Sequence, residues 1–224
     1  MRRLAVLFDL DNTLVDRAGK LADWAAEFTT RHGLGDEERT YVLGMLAERA
    51  SPSTFDAIRT RLRLSAPTPE LWRSYRSEIA ARVSCPAEVL GGLDELRAAG
   101  WRVGVATNGA ADIQWAKLRA TGIAEHVDGV VVSEEVGARK PEMRHFEMAL
   151  ARCGAVPGEG GWMVGDDPGT DIVGGRSAGL HTIWVANGHG RAPQAPAPDH
   201  TVPHVRAAID ILLLRTADHV GIAS

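Results

Sequence analysis

Two aspartates near the N-terminus have the spacing expected of a catalytic carboxylate pair. Asp9 directly follows an apolar run, residues 4–8, and Asp11 stands two positions later. Side chains at that spacing leave an extended chain on the same side, and two close like charges need a cation, a shared proton, or both. One carboxylate as nucleophile, the other as acid and base, and a divalent metal would form a reactive centre. Taken alone, the stretch also fits a simple turn that ends a strand.

Further polar residues occupy comparable places along the chain. They are Thr107, Asn108 and Gly109 after the apolar run 103–106, Lys140 at the start of a helical pattern, and Asp166, Asp167 and Asp171 after the apolar run 162–164. In an open parallel sheet the carboxyl ends of the strands lie along one edge, where ligands bind. These distant segments are therefore expected to meet at one place.

The same segments resemble the four motifs of the haloacid dehalogenase superfamily, in its aspartate-nucleophile phosphatase branch. The matching stretches follow the family order: Asp9-x-Asp11-x-Thr13, Thr107-Asn108-Gly109, Lys140-Pro141, and Gly165-Asp166-Asp167 through Asp171. A single short motif is weak evidence, but four in register are specific.

The resemblance implies catalytic roles for several of these residues. Asp9 would be the nucleophile that forms a phosphoaspartate, and Asp11 would protonate the leaving alkoxide and then take a proton from water. Asp11 would need a proton at neutral pH, which a neighbouring anion would help it to hold. Phosphate binding would fall to the Thr107 hydroxyl, the Lys140 ammonium group and the backbone amides of Asn108 and Gly109.

The resemblance also implies Mg²⁺ as the cofactor, because this ion prefers hard oxygen ligands. Its ligands would be the side chains of Asp9 and Asp166 and the main-chain carbonyl of Asp11. Asp171 and Asp167 would not bind the metal directly but would hold its water ligands or Lys140.

Alternating strand and helix patterns from residue 88 onward predict an α/β fold, a doubly wound parallel sheet with a Rossmann-like core. Predicted strands are 102–106, 127–132, 162–164 and 182–185, and predicted helices are 88–99, 110–121, 141–153 and 171–178, with Pro141 in the first helical position. A loop rich in Pro and Ala, 186–203, precedes a last helix, 204–215, and a frayed tail from Thr216.

Residues 17–84 show helical periodicity without a strand pattern, for example through Leu21, Trp24 and Phe28 on one face. They predict an all-helical insertion into a catalytic core made of residues 1–16 and 85–224. In the resembled family this place holds a mobile cap, which would close over the site and select the substrate. Its arginines, such as Arg17 and Arg49, would be available to a second anionic group.

Composition excludes several classes of protein. The chain has 224 residues and a formal net charge of −4, without the basic face that nucleic acid requires or an apolar stretch of membrane-spanning length. The apolar run after Met1 breaks at Asp9, which argues against a secretory segment. Cys85 and Cys153 lack metal-ligand spacing and fit a reducing compartment. We expect a cytoplasmic monomer or homodimer whose partner is a small phosphorylated metabolite.

These observations favour a Mg²⁺-dependent phosphatase of a small phosphomonoester. A phosphomutase would use the same residues but transfer the phosphoryl group to a sugar hydroxyl. A catalytically silent binding protein is a third possibility, against which the intact motifs argue. Halide hydrolysis is disfavoured, because dehalogenases of the superfamily lack the second aspartate of the first motif, and Asp11 is present here.

Overall fold

The computed structural model describes residues 4–48, 50–190 and 197–220; Arg49 lies outside them. Within these residues six parallel strands form one sheet in the order β3-β2-β1-β4-β5-β6. The strands are β1 (Ala5–Phe8), β2 (Arg102–Thr107), β3 (Gly129–Val132), β4 (Trp162–Gly165), β5 (His181–Val185) and β6 (His200–Val202). The doubly wound parallel sheet is confirmed, and β1, which carries the first motif, is central.

Five helices stand between β1 and β2, and the first four form the insertion: α1 (Arg17–Arg31), α2 (Asp36–Glu48), α3 (Pro52–Leu62) and α4 (Thr68–Arg82). Asp16 caps α1 by accepting a hydrogen bond from the Gly19 amide at 2.8 Å. The four helices pack around an apolar cluster separate from the two on the sheet and built around Trp24, Phe55 and Tyr75. The all-helical insertion is thus confirmed, whereas its exact boundaries, 17–84, stay a prediction.

The remaining helices connect the strands or follow the last one: α5 (Ala87–Ala98), α6 (Ala111–Ala120), α7 (Ser133–Val136), α8 (Met143–Arg152), α9 (Val173–Ser177) and α10 (Val205–Val220). Alternate strand residues face opposite sides of the sheet. Phe8 packs in the cluster that contains residues of α5, α6 and α10, whereas Leu7 packs in the cluster that contains residues of α8. Both faces of the sheet are therefore covered, which fixes the strand ends that carry the polar residues.

One residue of α6 belongs to the helical insertion rather than to the sheet. Ile113 packs in the same apolar cluster as Trp24 and Tyr75. Arg76 of α4 also forms an ion pair with Asp112. The cap-like helices are therefore seated on α6.

Some boundaries differ from the predictions. The peptide bond between Lys140 and Pro141 is cis, and α8 begins only at Met143, so Pro141 is not the first helical residue. A π-helical turn, Pro168–Ile172, occupies the beginning of the helix predicted over 171–178.

The C-terminal part also differs from the prediction. Strand β6 lies within the loop predicted over 186–203, of which residues 191–196 fall outside the description. Thr216 is helical rather than frayed, and its hydroxyl accepts a hydrogen bond from the Trp101 indole at 2.7 Å. No helix in the described ranges is long and apolar enough to cross a membrane.

Candidate active site

A buried lysine joins two of the predicted site residues at the carboxyl end of β1. The Lys140 ammonium lies 2.5 Å from Asp9 Oδ1 and 2.7 Å from Asp171 Oδ1. Lys140 is 2% exposed, Asp9 7% and Asp171 fully buried. Burial alone would lower the pKa of Lys140, but the carboxylates of Asp171 and Asp9 outweigh it and raise that pKa. The lysine is thus held as a cation between two carboxylates.

Three carboxylates converge beside that lysine. Oxygen atoms of Asp9, Asp166 and Asp171 lie within 4.8 Å of one another. Burial and mutual repulsion raise the pKa of Asp9, and they raise that of Asp166 to about 7. A single lysine does not neutralise three carboxylates, so the cluster has the charge and the hard oxygen donors that suit a divalent cation. The residues therefore fit Mg²⁺.

The chain after β4 folds tightly to bring Asp171 into this cluster. Asp167 caps the following turn, with Oδ1 accepting from the amides of Gly169 at 2.7 Å and Thr170 at 2.9 Å. Its own amide donates to Asp171 Oδ2 at 3.1 Å. A Cβ on Gly165 would collide with the Asp171 carboxylate, so this position requires glycine. Asp171 thus contacts Lys140 directly, whereas Asp167 orders the turn.

The predicted phosphate-binding residues meet at the end of β2. Thr107 is buried, and Asn108 connects to the Lys140 backbone twice, donating from Nδ2 to the carbonyl at 3.0 Å and accepting at Oδ1 from the amide at 2.9 Å. The Gly109 amide donates to the Ser133 hydroxyl at 3.0 Å. In this arrangement that amide is engaged within the protein, unlike the free phosphate donor predicted from the sequence. Asn108 instead serves to tie the second and third motifs together.

The surroundings of Asp11 hold two residues that sequence reasoning missed. Lys117 Nζ lies 2.6 Å from Asp11 Oδ1 and 2.8 Å from Oδ2, and Gln114 Nε2 donates to Oδ2 at 3.2 Å. Burial would raise the pKa of Asp11, but Lys117 and then Arg17 outweigh it and lower that pKa. The expected neighbouring anion is therefore replaced here by cations, which favour the carboxylate form.

The only sequence signal for Lys117 and Gln114 was their position. They stand three residues apart, on one face of the helix that follows Thr107, which is the spacing of neighbours on a helix surface. That spacing is too common to single them out.

These residues surround a cavity of about 380 Å³. The core contributes Asp9, Asp11, Thr107, Lys140 and Asp166, among others, while Arg17, Ala50 and Tyr75 come from the helical insertion. Arg17 is fixed by a hydrogen bond from Nη2 to the Leu46 carbonyl at 2.7 Å, and its Nε lies 3.9 Å from Asp11 Oδ2. The insertion thus forms one wall of the cavity.

Fold and site together define an α/β protein of the doubly wound class, with its polar centre at the carboxyl ends of the central strands. The chain belongs to the haloacid dehalogenase-like hydrolases, since the sequence profile of that family matches residues 6–185. The family resemblance and the hydrolase class predicted from the motifs are confirmed.

Several proteins are similar to this chain. A glyceraldehyde 3-phosphate phosphatase of Methanothermobacter thermautotrophicus is 35% identical over 192 residues, which cover 81% of the chain and 84% of that protein. The pyrimidine 5'-nucleotidase YjjG of Escherichia coli is 40% identical over 101 residues, but these span only 45% of either protein. The crystal structure of a HAD phosphatase from Thermococcus onnurineus covers 93% of the chain, and the chain covers 97% of it, at 27% identity and a TM-score of 0.67.

Proposed function

We propose that the protein is a Mg²⁺-dependent phosphatase that hydrolyses a small phosphomonoester through a phosphoaspartate. The observation that carries the proposal is the buried Asp9–Lys140–Asp171 arrangement at the end of the central strand. A carboxylate nucleophile beside a phosphate dianion needs compensating positive charge, and Lys140 supplies part of it. The phosphatase and nucleotidase names of the relatives support the same reaction class.

In the first step Asp9 attacks phosphorus, the bond from phosphorus to the leaving oxygen breaks, and Asp11 gives its proton to that oxygen. In the second step water attacks the phosphoaspartate, Asp11 takes a proton from the water, and the bond from phosphorus to Asp9 breaks. Inorganic phosphate leaves and both aspartates return to their initial states. The bound phosphate dianion is the anion that would favour the protonated form of Asp11, against the effect of Lys117.

The chain's other residues position the phosphoryl group. The Thr107 hydroxyl accepts from Gln114 Nε2 at 2.6 Å, which leaves its own hydrogen available for a phosphate oxygen. Lys140 offers a compact positive charge to the phosphate and to Asp9. Bound Mg²⁺, held by the side chains of Asp9 and Asp166 and the main-chain carbonyl of Asp11, would supply charge stabilisation for the transferring phosphoryl group.

The helical insertion is proposed to select the substrate, because Arg17 and Tyr75 form its side of the cavity. A cavity of about 380 Å³ suits a small phosphorylated metabolite rather than a macromolecule. A cytoplasmic location and a monomeric or homodimeric state complete the proposal.

The decisive experiment compares the wild-type protein with Asp9→Asn on a panel of small phosphomonoesters and on p-nitrophenyl phosphate. The amide is nearly isosteric but a poor nucleophile, so phosphate release should fall at least about 10³-fold while the circular dichroism spectrum shows that the fold is intact. Asp23→Asn, an exposed aspartate of α1 that pairs with Lys20, is the matched control and should keep full activity. Activity near wild type in Asp9→Asn would overturn the covalent mechanism.

The metal is tested in the same assay. Chelation should abolish activity, Mg²⁺ should restore it, and Ca²⁺ should suppress it because its longer, more numerous bonds can occupy both oxygens of Asp9. Full activity after exhaustive chelation would rule out the metal dependence. Product analysis by ³¹P NMR distinguishes the alternatives, since a phosphomutase would give an isomeric phosphate ester and a silent binding protein no product.

A further inference from the structure

The residue Lys117 is a buried cation for which the motifs of the chain provide no role. It is 2% exposed, and both oxygens of Asp11 lie within 2.8 Å of its ammonium group. Burying a charge costs several kcal/mol unless it is well paired, and replacing a buried ion pair by apolar residues is often neutral or stabilising. A purely structural explanation for Lys117 is therefore weak.

We propose that Lys117 and Gln114 are positioning residues that hold the Asp11 carboxylate towards the phosphate site and align it for both of its proton transfers. The inference rests on the phosphatase activity proposed above. It assigns to α6, the helix that carries both residues, a part in the acid–base step.

The geometry shows a continuous chain of hydrogen bonds from the phosphate-binding residue to Asp11. Gln114 Nε2 donates to Thr107 Oγ1 at 2.6 Å and to Asp11 Oδ2 at 3.2 Å, while its Oε1 accepts from Lys117 Nζ at 2.9 Å. Gln114 is itself 2% exposed, and it is packed so closely that a Cβ on Gly109 would lie 2.9 Å from its Cδ. Neither Gln114 nor Asp11 has freedom to swing without breaking these contacts.

A fixed orientation of the Asp11 carboxylate matters because this group takes part in two different proton transfers in one catalytic cycle. It donates to the leaving oxygen in the first step and accepts from water in the second, along the same line of attack on phosphorus. A carboxylate that is gripped on both oxygens keeps one orientation through the cycle, and small misplacements of a catalytic group cost large factors in rate. The grip also explains why a helix outside the motifs carries two buried polar side chains on one face.

The dependence on the leaving group separates this role from a merely structural one. An alkyl phosphate needs a proton on its leaving alkoxide, whereas p-nitrophenolate leaves without one. In Lys117→Met, kcat on an alkyl phosphate from the substrate panel should fall about 30- to 100-fold. The burst of p-nitrophenol, which reports the first step on p-nitrophenyl phosphate, should slow less than about 3-fold. Lys117→Arg, which keeps the charge and two donors, should recover part of the loss on the alkyl ester.

A double-mutant cycle tests whether Lys117 acts through Asp11. Asp11→Asn together with Lys117→Met should be no slower on the alkyl ester than Asp11→Asn alone, because residues that act as a unit are not additive. Arg119→Met is the control, since Arg119 lies on the same helix but is exposed and stacks on Trp115. It should match wild type on both substrates.

Equal losses on the two substrates, additive losses in the cycle, or no loss in Lys117→Met would each overturn the positioning role. Should Lys117→Met not fold, Gln114→Met is measured in the same way and must show the same selective loss. Wild-type protein without activity on any phosphomonoester would refute the proposed function itself, an outcome distinct from these.

Discussion

Replacing Lys140 by methionine should destabilise the protein strongly in the absence of metal. The ammonium lies 2.5 and 2.7 Å from oxygens of Asp9 and Asp171. At an effective dielectric constant of about 20, each contact is worth roughly 6 kcal/mol of direct attraction. Part of this is offset, because methionine does not have to be dehydrated as lysine does. We expect a net loss of about 3–5 kcal/mol, as for other buried pairs that lose one partner.

The loss should depend on pH in a defined direction. The variant removes the cation that contacts Asp9 and Asp171. The pKa values of the carboxyl groups in the cluster should then rise further above those of the unfolded chain; that of Asp166 is about 7 already. A folded state that binds more protons than the unfolded state loses stability as pH rises. The deficit of Lys140→Met should therefore be largest near pH 8 and shrink towards pH 6.

Urea unfolding in excess chelator, followed by tryptophan fluorescence at both pH values, measures this deficit. Lys20→Met, at a partly exposed lysine paired with Asp23, is the matched control and should change stability by less than about 1 kcal/mol. A loss below about 1 kcal/mol at pH 8 for Lys140→Met, or a deficit that stays constant down to pH 6, would refute the reasoning.

Two further predictions concern residues close to the site. Burial lowers the pKa of His145 to about 4, so the unfolded chain binds the proton more readily below pH 6.5, and the contribution of His145 to stability should fall by about 2 kcal/mol between pH 7 and pH 5. His145→Gln should therefore gain stability by about that amount relative to the wild type as pH falls over this range in denaturant titrations; the same pH dependence in both proteins would contradict the assignment. Gly165→Ala should disrupt the Asp171 turn and abolish activity, whereas Gly44→Ala in α2, with no atom within 4 Å of the added Cβ, should stabilise by about 0.5–1 kcal/mol. Thermal melts and activity assays compare the two, and normal activity in Gly165→Ala would show that the turn adapts.

Most of the fold could be predicted because the spacing of apolar residues along a helix or strand indicates which of its sides is buried. The strand residues before Asp9, Thr107 and Asp166 are continuous apolar runs, as expected for a sheet covered on both faces. The predictions failed where the chain follows local hydrogen bonding instead. Strand β6 has only three residues, too few for a pattern, and the π-helical turn depends on the capping carboxylate of Asp167.

For the site, motif order predicted which residues meet but not which residues support them. The proximity of Lys140 to Asp9 and Asp171 follows from the convergence of strand ends. The contacts of Lys117 with Asp11 depend on how α6 is rotated about its own axis relative to the sheet. No pattern within the helix sequence specifies that rotation. The partner of the Gly109 amide could not be predicted from local sequence either, because Ser133 follows a different strand, β3.

The seating of the helical insertion on α6 limits how far this protein can be treated as modular. Ile113 completes the apolar cluster of α1–α4, yet it lies one residue before Gln114 and four before Lys117. A chimera made by exchanging residues 17–84 alone would pair foreign helices with the resident Ile113 and Asp112. Recombination between homologues, in the laboratory or in nature, should therefore succeed more often when α6 travels with the insertion. Engineering of the insertion should therefore exchange residues 17–84 together with α6.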